Sequence, residues 1–315
     1  MPQSIFITGA DGFIGKALTP RSVAWAGYAC KVLKRKGSPT SYTSKEARPE
    51  QVVGDLLEPK TYRAALAGSD TVVHLAAVTG RAAPEEFERV NVEGTRALLR
   101  ACKAEGVRRF LHMSTIAARY PDQRHYPYAK TKARAEALVR ESGLDFAILR
   151  PTLVLGEMSP IWITLRKIAK LAVVPLPEGA HSVLVQPIHV NDVVRGIELV
   201  LESGRLEGEI FELGGPRPLP LRELLQLTQK ALRGQAGRLL RVPLEPIRAL
   251  LAAIEPAVRP LMPVTAGQLA VFANDSVPSE NWLLAQLLPG MQSTEETIAD
   301  LVEVRNRGAV EGKGS

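Results

Sequence analysis

Apolar and polar positions alternate along the first half of the chain with two periods. Short apolar runs of strand length recur at Ile5–Ile7, Cys30–Leu33, Gln51–Gly54, Thr71–Leu75, Arg109–Met113 and Asp145–Leu149. Between them lie stretches with helical spacing: Lys16–Ala26, Pro59–Leu66, Glu85–Gly106 and Tyr128–Ser142. In the longest of these, Phe87, Val90, Ala97, Leu98 and Ala101 keep one face apolar. Pro20 has to sit near the start of the first helix or kink it. Strand and helix in strict alternation predict an α/β fold, a doubly wound parallel sheet of Rossmann type covered on both faces.

The second half is less regular. Val183–Val190 reads as a strand, Asn191–Leu201 as a helix capped by Asn191 or Asp192, and Ile210–Gly215 as a strand and turn. Helices are expected at Leu219–Leu232 and Thr294–Val304, the latter with Glu295 and Glu296 favouring its dipole. Between them Pro243, Pro246, Pro256, Pro260 and Pro263 punctuate an apolar stretch. There Ile247, Leu250, Leu251, Ile254 and Val258 share one helical face, read first as packing and second as a surface for a partner or membrane. The expected division is residues 1–155 and 181–215 for a dinucleotide-binding domain and 156–180 and 216–305 for a smaller, mostly helical substrate domain. Residues 306–315 are read as a disordered tail.

Composition narrows the function classes. The formal net charge is +7, with 40 Lys+Arg against 33 Asp+Glu, but the cations are scattered and aromatics are only 5%. That argues against a nucleic-acid surface and suits an anionic small ligand. Cys30 and Cys102 fall in a strand and a helix and read as buried small apolar residues, so a reducing, cytoplasmic setting is expected, with peripheral membrane association as a second option. The first strand begins near Ser4, which leaves no room for a leader, and no apolar run reaches the ~20 residues of a membrane span. The five histidines never fall at metal-ligand spacing, and no metal site is expected. Nothing in the pattern speaks to oligomeric state.

The candidate chemistry begins at the first strand. Gly9, Gly12 and Gly15 follow it directly, with Phe13 and Ile14 opening toward the helix. Gly9 permits a tight turn, Gly12 removes a Cβ that would hold the backbone off a pyrophosphate, and Gly15 lets helix and strand approach. The second strand ends in Lys34-Arg35-Lys36, with no acid to accept from a ribose 2′-hydroxyl, so NADP(H) is favoured over NAD(H), with Arg35 at the 2′-phosphate. Asp55 ends the third strand; it either accepts from an adenine amino group, with Leu56 against the ring, or caps the next helix. Leu75, Ala76 and Ala77 end the fourth in residues small enough for a cofactor to approach.

The reactive group is expected at Tyr128 and Lys132, four residues apart on one helix face. A phenol alone, with its pKa near ~10, is a poor base, and a neighbouring ammonium favours its phenolate. Ser114-Thr115 ends the preceding strand, where a hydroxyl can hold a substrate oxygen. Tyr126 and Lys130 have the same spacing; Pro127, best placed in a first helical turn, favours the Tyr128–Lys132 register.

Together Thr8–Gly15, Gly54–Leu56, His74–Ala77, Asn91–Thr95, Ser114-Thr115, the Tyr128/Lys132 pair and Arg150-Pro151 resemble the extended short-chain dehydrogenase/reductase superfamily, the NAD-dependent epimerases and dehydratases. The resemblance implies Thr115, Tyr128 and Lys132 as catalytic residues, and an oxidoreductase or epimerase acting on a hydroxyl or carbonyl, a nucleotide sugar among the candidates. Val185–Asp192, Phe211–Pro216 and the stretch from Thr265 to Asp275 resemble more weakly the branch of the NDUFA-type accessory subunit of respiratory complex I. That branch implies the alternative, an NADP(H)-binding accessory or scaffold protein held to a complex or membrane through its C-terminal region. Keeping both Tyr128 and Lys132 speaks for the enzyme.

Overall fold

The computed structural model describes residues 3–24, 28–38, 49–243 and 273–311. The apolar face from Ile247 to Val258, and most of the stretch from Thr265 to Asp275, lie outside them. The chain divides into two compact units, the first made of residues 1–119, 127–150 and 193–211, the second of 120–126, 151–192 and 212–315.

Every strand expected in the first half is present: β1 (Gln3–Thr8), β2 (Tyr28–Lys34), β3 (Glu50–Val53), β4 (Thr71–His74), β5 (Arg109–Met113) and β6 (Asp145–Pro151). With β11 (Glu209–Leu213) they form a seven-stranded sheet in the order β11-β6-β5-β4-β1-β2-β3. The pairings β1/β2, β1/β4, β2/β3, β4/β5 and β5/β6 are all parallel. The strand order reverses between β1 and β4, the switch point beside which such sheets take ligands at their carboxyl ends. On one face Phe6, Val72, Phe110 and Ile148 pack with Leu66, Leu98, Leu99 and Cys102. Cys30 and Cys102 are buried thiols outside any disulfide, and burial pushes Cys102 up to about 12, out of reach of thiolate chemistry.

The helices depart from expectation in instructive ways. Helix α1 (Phe13–Ala24) starts three residues before Lys16 and carries Pro20 inside it. The run read as one helix from Glu85 is three pieces: α3 (Pro84–Phe87), a π-helical segment Glu88–Gly94, and α4 (Thr95–Ala104). The Thr95 hydroxyl donates to the Asn91 carbonyl at 2.7 Å, within the stretch where the turns widen. Helix α5 (Pro127–Arg140) opens on Pro127 and leaves Tyr126 before it.

In the second unit the strand expected at Val183–Val190 is two short pieces, β9 (Leu184–Val185) and β10 (Ile188–His189). Pro187 cannot donate between them, and Gln186 is drawn aside, donating its backbone N–H to Ser276 and its amide to the Gly215 carbonyl. The helix that follows, α7 (Val190–Ser203), begins one residue before Asn191. Residues with no element in the sequence reading form α6 (Pro160–Ala169), capped by the Ser159 side chain, and β8 (Val173–Pro177) paired with β13 (Arg238–Val242). A helix at Trp282–Leu287 is likewise additional. Leu219-Pro220 form β12, which shortens the following helix α8 to Leu221–Arg233. Trp162, Leu165, Leu176, Leu224 and Ile298 anchor this unit's core. The last helix runs from Thr294 to Glu311, so residues 306–311, expected in a tail, are helical. Among the described residues no helix is long and apolar enough to cross a membrane.

Candidate active site

All the predicted site residues lie in the first unit, at the carboxyl ends of its strands and the starts of its helices. The glycine turn is the tightest part. Gly9 has φ +76, and a Cβ there would lie 2.5 Å from the Ala76 nitrogen. A Cβ on Gly15 would lie 2.2 Å from the Gly9 oxygen and 2.7 Å from the Ala10 Cα. At Gly12 the only neighbour is the Gly9 oxygen at 3.1 Å, so its missing side chain leaves room on the exposed side. Immediately beyond, α1 begins at Phe13, and the first backbone N–H groups of a helix carry partial positive charge with no intrahelical acceptor. Phe13 and Ile14 are half-buried. Leu75, Ala76 and Ala77 stand half-buried across the switch point, with Leu75 N–H on the Thr8 carbonyl at 3.1 Å. The opening left at Gly12 and the helix start fit a dinucleotide pyrophosphate.

At the adenosine end the three cations separate. Lys34 is buried with its Nζ 4.0 Å from Asp11, whereas Arg35 and Lys36 are exposed. Asp55 uses one carboxylate oxygen to receive Leu57 N–H at 2.9 Å, an Asx turn; the residue at the start of the next helix is Glu58, so Asp55 does not cap it. Leu56 is 8% exposed and packed into the core against Gly94, where the sequence reading had set it against an adenine ring.

At the reactive end the two hydroxyls of Ser114-Thr115 are divided. Ser114 is buried and donates to Glu136 Oε1 at 2.5 Å. That carboxylate, itself 1% exposed, also receives Arg150 through two nitrogens at 2.9 and 2.6 Å and Arg140 at 3.3 Å. Thr115 is half-buried; its Oγ1 accepts Ala117 N–H at 3.3 Å and keeps its own proton to donate. Tyr128 is half-buried beside Phe87, and burial pushes its phenol up to about 12. Burial outweighs the lowering that the sequence reading assigns to Lys132. Lys132 is 2% exposed; its Nζ donates to the Met113 carbonyl at 2.5 Å and lies 3.1 Å from His112 Nε2. Desolvation lowers it to about 7, against a smaller opposing pull from Glu136. Lys130, partner in the competing register, is exposed.

Two groups of residues have no role assigned from sequence, although Thr8, His74, Asn91 and Thr95 stand in the motifs that carry the resemblance. In the sheet register Thr8, His74 and His112 face one another across β1, β4 and β5, two residues beyond the row Phe6, Val72, Phe110 on the same face. Thr95 gives its proton to Asn91 O, so it receives from His74 Nε2–H at 2.9 Å. His74 Nδ1 is then bare and receives the Thr8 hydroxyl at 2.7 Å, and Thr8 Oγ1 in turn receives Ala76 N–H at 3.4 Å. This directional chain requires neutral His74, and burial holds it down at about 3. Among the described residues His112 Nδ1 is buried with no partner, an unmet hydrogen bond worth about 1–3 kcal/mol. Separately, Asn91 in the π-helical segment brackets Val78 through both amide atoms and donates to Thr131 Oγ1 at 3.2 Å, next to Lys132. The readable signal was polar residues recurring at the same depth of otherwise apolar strands, and Asn91 and Thr95 spaced one turn apart.

A switch-point glycine turn with a hydroxyl, a tyrosine and a buried lysine at the neighbouring strand and helix ends defines the dinucleotide-dependent oxidoreductases of short-chain dehydrogenase architecture. The chain belongs to the NAD dependent epimerase/dehydratase family, whose model matches residues 5–214, and with it to the extended short-chain dehydrogenase/reductase superfamily. It is an NAD(P)-dependent enzyme of the oxidoreductase and epimerase kind. A ceramide reductase of Caulobacter vibrioides is 33% identical over 60% of this chain, a match spanning 57% of that relative's length. A 4-hydroxy-2-methyl-3-oxo-4-farnesyl-3,4-dihydroquinoline-1-oxide ketoreductase of Stigmatella aurantiaca is 27% identical over 85% of both chains. The crystal structure of gox2253 superposes with a TM-score of 0.76 at 25% identity, covering 98% of this chain and 99% of that one.

Proposed function

We propose that this protein is an NADPH-dependent reductase of a carbonyl on a lipophilic substrate. The observation that carries the reaction type is the environment of α5: Tyr128 lies one turn from a buried Lys132, whose ammonium holds the Met113 carbonyl at the end of β5, the strand followed by Thr115, the hydroxyl not taken by Glu136. The dinucleotide supplies hydride. Thr115 donates a hydrogen bond to the substrate oxygen and orients it. Tyr128, protonated throughout the neutral range, gives its proton to that oxygen as charge develops there, and the Lys132 ammonium stabilises the phenolate left behind. The lipophilic substrate is inferred from the ceramide and farnesyl-quinoline reductases among the relatives.

The test is NADPH oxidation against long-chain 3-oxoacyl and ceramide-type ketones, with dTDP- and UDP-sugars as the opposing panel. Tyr128→Phe is expected to lower kcat by about 10²–10⁴ while NADPH still binds. Turnover of the sugar panel alone would sink the substrate reading, and an unchanged kcat would sink the role of Tyr128. Preference for NADPH is assigned to Arg35, exposed just past β2 in the run Lys34-Arg35-Lys36, which itself carries no acid to take a 2′-hydroxyl. Arg35→Ala should raise KM for NADPH about tenfold and leave KM for NADH alone; equal effects on both would remove that assignment.

A further inference from the structure

We infer that His112 is the positioning residue of Lys132: its Nε2 accepts from the ammonium, and the tautomer this demands ties the proton of Lys132 to the proton of the imidazole. This goes beyond the hydroxyl–tyrosine–lysine reading, which it rests on only for what Lys132 does in turnover. Three observations carry it. Lys132 Nζ is 3.1 Å from His112 Nε2, and its one other partner among the described residues is the Met113 carbonyl. Both side chains are buried, His112 completely. His112 Nδ1 has no partner among the described residues.

Those facts allow two arrangements. With Lys132 charged, Nε2 must be bare to accept, so the imidazole proton sits on Nδ1 as a buried donor facing nothing. With Lys132 neutral, its lone pair can receive Nε2–H, and Nδ1 becomes a bare acceptor, which is the lesser penalty. Loss of one proton from Lys132 therefore moves the imidazole proton across the ring. His74 cannot substitute, because the Thr8–His74–Thr95 chain already uses both its nitrogens. Other groups facing the pair are Tyr128 and Glu136, one turn to either side of Lys132 on α5. Glu136 is engaged by Ser114, Arg140 and Arg150. The His74 ring stands 5.3 Å from that of His112. The lowering of Lys132 agrees with this balance: desolvation favours the neutral amine, and the Glu136 carboxylate returns only part of the loss.

Side-chain nitrogen NMR on the full chain tests this, with resonances assigned through Lys132→Arg and His112→Gln. In the wild type, His112 should carry its proton on Nδ1 below the Lys132 midpoint and on Nε2 above it; a single tautomer on both sides overturns the proposal. Replacing the acceptor, His112→Leu, should lower the Lys132 midpoint by about one pH unit, a tenfold loss of proton affinity, and His112→Gln, which keeps an acceptor, should restore most of it. The alkaline limb of kcat/KM for reduction should move with the same two variants. Equal midpoints in wild type and His112→Leu would overturn the positioning role. If no substrate turns over, the NMR titration still decides, so failure of this inference and failure of the reductase reading are separate results. If His112→Leu does not fold, the wild-type tautomer measurement, assigned through the two conservative variants, still decides.

Discussion

The glycine turn and the reactive end of the same unit are built by opposite means. The turn works by absence. Gly9 and Gly15 have no side chain because backbone atoms occupy the space, and Gly12 has none where space stands open. The reactive end works by accumulation: Thr8, His74, Thr95, His112, Lys132, Ser114, Glu136 and Arg150 form buried polar chains in which nearly every atom is assigned. A site built by absence is rigid and indifferent to pH. A site built from buried polar groups depends on every member being satisfied, and it stores its sensitivity in protons.

That contrast is broken most severely at Gly15. Gly15→Ala puts a Cβ 2.2 Å from the Gly9 oxygen, against backbone that has no rotamer to yield. The expected outcome is a loss of at least about 3 kcal/mol of stability, seen as a large drop in Tm or no soluble protein. A variant melting with the wild type would show that the turn is not constrained as described. On the other side, Glu136→Gln leaves Arg150 and Arg140 facing a neutral amide and should cost roughly 3 kcal/mol, measured by urea unfolding. A change under ~0.5 kcal/mol would mean the carboxylate is not part of the structure of this end.

Gly12→Ala sharpens the comparison within the turn itself. Its Cβ would meet only the Gly9 oxygen, at 3.1 Å. Folding should survive nearly unchanged while NADPH binding weakens about tenfold or more, because the new methyl occupies the place of a pyrophosphate oxygen. Fluorescence titration of bound NADPH reads this. If Gly12→Ala bound NADPH normally, the opening at Gly12 would be a feature of the turn and not of the cofactor.

The same contrast decides what could be read without a structure. Absence is legible: glycines at fixed intervals after an apolar run announce a turn, and all seven strands of the sheet follow from the apolar runs, β11 included, as does α5 with Pro127 at its start. Accumulation is not, because its members are far apart in sequence. His74 meets Thr95, and His112 meets Lys132, only once the helices lie against β4 and β5, and in sequence His112 looks like any strand residue. Spacing alone does not separate Ser114 from Thr115; the family resemblance points to Thr115, and Glu136 claims Ser114. Leu56 was placed against an adenine because a strand end suggested it, while its actual neighbour, Gly94, depends on where the π-helical segment lies. In the second unit β8, β13 and α6 were missed because their apolar residues show neither period cleanly and prolines interrupt them.

The smallest effect expected is also the one specific to the accumulated end. His74 and His112 are held neutral by burial, His74 at about 3 and His112 well below its ordinary 6.5, whereas in the unfolded chain both titrate near 6.5. A base whose folded pKa is depressed binds more protons when unfolded, so its contribution is complete above pH 6.5 and is lost as pH falls below it. Each such histidine should remove about 1.4 kcal/mol of stability per pH unit below roughly 6. His189, also lowered, adds a smaller share from the second unit. Lys132 is protonated in both states there and does not contribute; its own term, from a folded value of about 7 against 10.5 unfolded, makes stability rise between those pH values. Urea midpoints from pH 6 to 4 should therefore be steeper in the wild type than in His112→Gln by about 1.4 kcal/mol per pH unit, with Gly12→Ala keeping the wild-type slope. Parallel slopes in wild type and His112→Gln would mean that His112 is not held neutral in the folded protein, and the pH sensitivity would then have to arise outside this polar row.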